Sequence, residues 1–315
     1  MTLRGVLAVA VVAMAASSLG AQTPSALASE CVRTGGPATL CLGGAVSTQA
    51  VLGHVGLATG LGSEVTGTAS NLGTRVGGGP RIAFTLRAGI VDAGMIDLAD
   101  VAGTAEKGFR ASALHAGVTL GLFDGFRLMP TVGGFLATDV FGGGSIVLLP
   151  SEAGFVGNAK SYGVGVRVGI FREGFSIPGL SVSWARRFSG AIEVGEPGVS
   201  PSAFEVEPSI TSIRATIGKD IHAVELLAGM GWEEYIGTSI LEVNDGFGGR
   251  GSALGDMSGS RRLYFGSAAM TFSILLMLSL EGGWAEGFEA IPGYSGEYDP
   301  AGGAAFGSAS IRLTL

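Results

Sequence analysis

The side chains of this sequence best suited to chemistry stand apart from one another. Arg87, His115, Arg167, Arg187, Arg214, Glu225, Glu281 and Arg312 each sit among glycine, alanine, serine and aliphatic residues. Gathered on the wall of a narrow polar space, they could do one of two things. Free guanidiniums would favour anions at a constriction, whereas guanidiniums paired with carboxylates would fill the interior, and both outcomes are open on the sequence. Local motifs add little. There is no P-loop, no G-x-S-x-G and no H-E-x-x-H. Gly246-Phe-Gly-Gly-Arg-Gly251 fits a dinucleotide glycine pattern, yet a chain with 56 glycines yields roughly two such matches by chance, and no strand-helix context surrounds this one.

Cys31 and Cys41 are the two cysteines, close in sequence and with no histidine near them. In an exported chain they predict a local disulfide, and they make no metal site. The carboxylates Asp92, Asp97, Asp100, Glu193, Glu196, Glu233, Glu234, Glu242, Asp245, Glu286, Glu289, Glu297 and Asp299 read as loop residues. None has calcium-loop spacing. No cofactor is predicted.

The elements that must position these residues are written in the alternation. In Ser161-Tyr-Gly-Val-Gly-Val-Arg-Val-Gly-Ile-Phe171, Tyr162, Val164, Val166, Val168 and Ile170 share one face, opposite Gly163, Gly165, Arg167 and Gly169. Strands segregate residues this way and helices do not. The pattern recurs at 80–94, 109–122, 127–140, 160–172, 177–188, 204–217, 220–235, 261–272, 275–286 and 303–315, and more weakly at 47–58 and 64–75. Short turns near Gly77–Gly79, Phe123–Gly125, Glu173–Ser176, Gly218–Lys219 and Ser273–Ile274 alternate with long loops at 95–108, 141–159, 189–203, 236–260 and 287–302. Leu263 to Leu280 lacks charge for the length of a membrane helix, but its own alternation predicts a hairpin. One segment conflicts: Glu205, Glu207 and Ser209 share parity with Ile213, which predicts a bulge near Ile210–Ser212 or a later strand start.

Composition bounds the class. Met1-Thr-Leu-Arg4, the uncharged apolar stretch 5–16 and the small residues ending at Ala21 read as a cleaved signal peptide. Only 14% of the 315 residues are charged and the formal net charge is −7, with no basic run. Nucleic acid is therefore excluded as a partner. A mean hydropathy of +0.47 without long apolar runs suits strands that face oil on one side.

The last strand, Phe306-Gly-Ser-Ala-Ser-Ile-Arg-Leu-Thr-Leu315, places Ile311, Leu313 and Leu315 opposite Ser310, Arg312 and Thr314. It resembles the assembly signal of bacterial outer-membrane β-barrels, departing from it where Leu315 replaces the usual terminal aromatic. The resemblance implies an all-β, up-and-down antiparallel transmembrane β-barrel of about 12 strands, with 10–14 allowed. It also implies outer-membrane lipid and the barrel assembly machinery as partners, and the outer membrane of a Gram-negative-type bacterium as the location. Residues 1–21 are then the signal peptide, 22–46 an N-terminal periplasmic segment holding Cys31 and Cys41, and 47–315 the barrel. Passive passage of small solutes through a polar lumen is the expected activity. A plugged barrel with a structural or surface-binding role is the alternative. Some outer-membrane barrels hydrolyse lipids with a serine and a histidine, but His54 and His115 are expected inward and His222 beside a short turn, so no enzyme is expected.

Overall fold

The computed structural model describes residues 23–74, 79–128, 133–175, 177–273 and 275–315. Residues 1–21, expected to be a signal peptide, and parts of the turns at Gly77–Gly79, Glu173–Ser176 and Ser273–Ile274 lie outside them. Wherever greasy and small residues alternate strictly, the chain forms antiparallel strands: β1 (Arg81–Ile96), β2 (Glu106–Phe123), β3 (Thr138–Leu148), β5 (Ala159–Phe171), β6 (Gly179–Ser189), β8 (Ser202–Ile221), β9 (Val224–Asn244), β10 (Arg250–Thr271), β11 (Leu276–Ala285) and β12 (Ala304–Thr314). These ten pair in chain order, and β12 returns to β1 with Ile311 opposite Leu86, closing a cylinder. Two short strands outside it, β4 (Phe155–Val156) and β7 (Ile192–Val194), bring the total to twelve. The uncharged stretch at 263–280 is the β10–β11 hairpin, as its alternation predicts.

The outer face carries an apolar band. Phe84, Leu86 and Ile90 of β1, Val164 of β5 and Leu278 and Leu280 of β11 are exposed there. At its upper edge lies a row of aromatic residues. Trp184, Ile213 and Trp232 are cross-strand neighbours with Arg262 beyond them, and Tyr264 faces Trp284 on the next pair. Such a girdle marks a membrane–water interface. Phenylalanines reinforce the inner wall: Phe141, Phe265 and Phe306 lie over Gly165, Gly229 and Gly283, each its direct neighbour on the adjacent strand.

Three strands overshoot the band. A tilted membrane strand needs about 9–11 residues, whereas β8, β9 and β10 run for 20, 21 and 22. The expected loop at 236–260 is therefore mostly strand, and Glu234 and Glu242 lie on β9. The parity conflict in β8 has the same origin, and no bulge is present. Ile213 faces lipid, while Glu205 and Glu207 keep the same outward parity but stand above the girdle, in water. There the apolar set moves inside, as Val206, Ile210, Leu241, Val243 and Met257, all buried.

Those inward residues cover two helices, α1 (Pro24–Arg33) and α2 (Ala38–Ala58). Thr23 caps α1 through its hydroxyl, with Pro24 in the first turn. The expected strand at 47–58 is a correction: it is the second half of α2. Helix α2 has no single apolar face, and even Ser47, Thr48, Gln49 and His54 are buried, which fits enclosure within a core rather than one greasy face toward lipid. It packs on β1, β8, β9 and β10. Gly53 and Gly56 let the rings of Phe288 and Tyr235 approach closer than any side chain would allow. Residues 24–46 thus pack against the inner side of β9 and β10, and the first wall strand begins at Arg81. The expected strand at 64–75 is also corrected, since residues 60–73 have no regular secondary structure. The strand expected at 127–140 falls partly on residues 129–132, outside the described residues, and the wall strand there, β3, begins at Thr138.

Candidate functional site

Helix α2 ends at mid-barrel and the chain continues down the lumen to Thr74, beside the short-turn end. An unstructured backbone in a membrane interior must find hydrogen-bond partners other than its own, and the wall supplies them. Arg261 donates to the Gly53 carbonyl at 2.7 Å and lies over the Tyr235 ring. Arg214 donates to the Gly60 carbonyl at 2.5 Å and also to that of Gly62. Arg87 donates to the carbonyls of Leu61 and, at 2.5 Å, Ser63. The Ser63 amide donates to Glu281 at 2.9 Å. Gly62 has φ +51°, and a side chain there would collide with Glu281. The bend that offers these carbonyls outward therefore needs glycine.

Lower down, Arg312 donates to the Thr66 carbonyl at 2.6 Å, and Arg167 to those of Thr68 and Ser70 at 2.9 Å each. Glu225 accepts from the Ala69 amide at 3.1 Å, and Asp139 from the Leu72 amide at 3.1 Å. The last clasp is Asp124, which accepts from the Thr74 amide at 3.0 Å and from the Thr74 hydroxyl.

Several of the interior charges are also paired with one another. Glu233, fully buried, takes Arg187 at 2.6 Å together with Arg214 and the Tyr235 hydroxyl. Glu64, from the threaded segment, takes Arg187 at 2.8 Å and Arg214 at 3.3 Å. Arg167 pairs with Asp139 at 2.7 Å. An unpaired charge in this interior would cost several kcal/mol, so the Glu64 pairs bind the segment to the wall while the others tie wall strands together.

Seven of the eight residues singled out in sequence, all but His115, thus converge on residues 60–70 directly or through a shared carboxylate. His115 lines a cavity of about 100 Å³ with Arg87, Arg187, Thr119, Ser145 and Ser161. Glu64, Asp139, Glu233 and Arg261 complete the lacing and were not among them. Glu233 reads as a loop acid, although it shares inward parity with Tyr235 and Gly231. Cys31 and Cys41 form a disulfide, joining α1 to α2. His54 meets the Tyr298 hydroxyl at 3.3 Å. Among the described residues no serine hydroxyl bonds a histidine. Glu173, Asp220 and Glu225 bring carboxylates together at the short-turn mouth, but Lys219 stands 3.4 Å from Glu173 and gives the cluster an ion partner.

A closed meander with an apolar band outside, an aromatic rim and charged side chains within decides the architecture. The fold is that of a bacterial outer-membrane β-barrel. Several solved structures are partly similar to the chain. The outer-membrane protease OmpT of Escherichia coli has a TM-score of 0.42 at 11% identity, over 75% of this chain and 96% of that one. The translocator domain of the autotransporter NalP of Neisseria meningitidis has 0.37 at 13%, over 74% and 87%. Ail, the attachment invasion locus protein of Yersinia pestis, has 0.33 at 8%, over 75% and 98%. No protein-family model matches this barrel's sequence, and no curated protein sequence does.

Proposed function

We propose that this outer-membrane barrel is closed by its own amino-terminal segment and works by presenting its long-loop end for binding at the cell surface. In this reading a signal peptide at residues 1–21 is removed on export, the assembly machinery reads β12, and outer-membrane lipid surrounds the apolar band. The single observation that carries it is the lacing of residues 60–72 to the wall by Arg87, Arg167, Arg214, Arg312, Glu225, Glu281 and Asp139. Passive passage of small solutes would require that segment to leave the lumen, and with it a set of buried ion pairs. The long-loop end, by contrast, is built out: three strands rise above the girdle around a helical core.

Purified protein in a planar lipid bilayer tests the reading. The intact chain is expected to carry no steady ion current. A steady current from it would overturn the proposal and restore passive passage, with Arg87 and Arg187 as the residues to neutralise in a selectivity measurement.

A further inference from the structure

Strand β10 is paired on both sides only in its membrane half. Strand β11 ends opposite Leu263, so residues 250–262 have β9 on one side and no strand on the other. The direction of the free backbone groups is fixed at both ends of this stretch. The Ser252 amide donates to the Thr34 hydroxyl, and the Arg262 carbonyl accepts from the Glu286 amide. The register with β9 is unbroken between them. Every even-numbered residue therefore turns its N–H and C=O toward the open side. Among the described residues nothing bonds those groups at Leu254, Asp256, Ser258 and Ser260. Proteins usually blunt such an edge, because it is a template for another strand.

The face beside the edge is acidic. Glu193, Glu207, Glu242 and Asp256 are exposed on the outer side of β7 to β10, and Glu205 and Glu234 are half-buried there. Arg250 and Arg262 are exposed at the two ends of the open stretch, and between them residues 251–260, like 202–211 and 234–244, contain no lysine or arginine. Leu254, 66% exposed, and Ile240, 43%, add apolar contact close to the edge.

From these observations we propose that the β10 edge at Leu254–Ser260 is a docking site for an extended, basic polypeptide segment, which adds to the sheet as a further strand. Backbone bonds to the four even-numbered residues would hold it, and the carboxylates would select lysine or arginine on its outward side. A second copy of the chain does not fit. Two barrels in one membrane share an orientation, so their β10 edges would run parallel about a two-fold axis. That axis sets identical residues opposite each other, whereas a parallel ladder bonds each residue to the two flanking its opposite number. The proposal rests on the reading of the barrel as a closed surface platform and names the class of partner.

Full-length mature protein in detergent, titrated with a synthetic peptide alternating lysine and threonine, tests the site. Binding is expected. Leu254→Pro and Ser258→Pro each remove an edge donor while leaving the ladder to β9 intact, and each should weaken binding at least tenfold, with heat-dependent gel mobility confirming a folded barrel. An analogue alternating glutamate and threonine should bind at least tenfold more weakly than the lysine peptide. No binding of the lysine peptide, equal binding by the proline variants, equal binding of the glutamate peptide, or a dimer that Ser258→Pro dissolves would each overturn the proposal. A non-conducting barrel that fails to bind overturns only the docking site, whereas conduction by the intact chain overturns the platform reading itself.

Discussion

Glu233 illustrates how much one carboxylate holds here. It serves Arg187, Arg214 and the Tyr235 hydroxyl, and Arg214 in turn grips the carbonyls of Gly60 and Gly62. Replacing it with glutamine keeps the shape and removes the charge, leaving Glu64 alone to balance two buried guanidiniums. Losing one member of a buried pair costs about 3–5 kcal/mol. Glu233→Gln is therefore expected to lower the unfolding free energy by about that amount in urea titrations of the refolded barrel, followed by tryptophan fluorescence. A change under about 1 kcal/mol would mean that Glu64 suffices. The residue's inward position was legible from parity with Tyr235, but its partners were not. Glu64 comes from a segment whose alternation imitates a strand, and the carbonyls that Arg214 binds belong to a path that no periodic pattern describes.

At the scale of elements, the threaded segment is fastened at its base by Asp124. The hydrogen bond from the Thr74 hydroxyl is the main cause that depresses this carboxyl to about 2, from an ordinary 3.8, and the Thr74 amide and Arg172 act in the same direction. A group depressed in the folded state stabilises it fully above its unfolded value, and the benefit disappears as pH falls through the folded value. Asp124→Asn is thus expected to lower the urea midpoint at pH 6. The difference from the parent should narrow below pH about 4 and close near pH 2. A difference independent of pH would show that the clasp is not electrostatic. The strands were the most legible elements. Tyr162 to Ile170 and Ile82 to Ile90 read directly, because lipid outside and polar groups inside leave a period of two. Above the girdle the same period changes meaning: Ile210, Leu241 and Met257 turn inward onto helices, and Glu207 and Asp256 turn outward to water. With the greasy face exchanged, residues 236–260 imitate a loop. Helix α2 was hidden for a different reason. Its glycines lower helix propensity, and burial on all sides erases the one-sided pattern that identifies a helix in sequence.

In the whole molecule the amino-terminal region runs opposite to the usual expectation for a barrel. Helix α1 lies at the long-loop rim, where Thr34 meets Ser252, while Thr74 and Arg81 lie at the short-turn end. An epitope placed before Thr23 in the mature chain is therefore expected to be reached by antibody on intact cells, whereas one inserted at His222 should be reached only after permeabilisation. Labelling of the Thr23 epitope only after permeabilisation would reverse the direction of threading. The seam of the cylinder has its own consequence. It joins the first wall strand to the last, so the ring stays open until β12 has paired with β1. Residues 24–74 can lie across an unrolled sheet and be wrapped by it, with no need for a needle to pass through a finished eye.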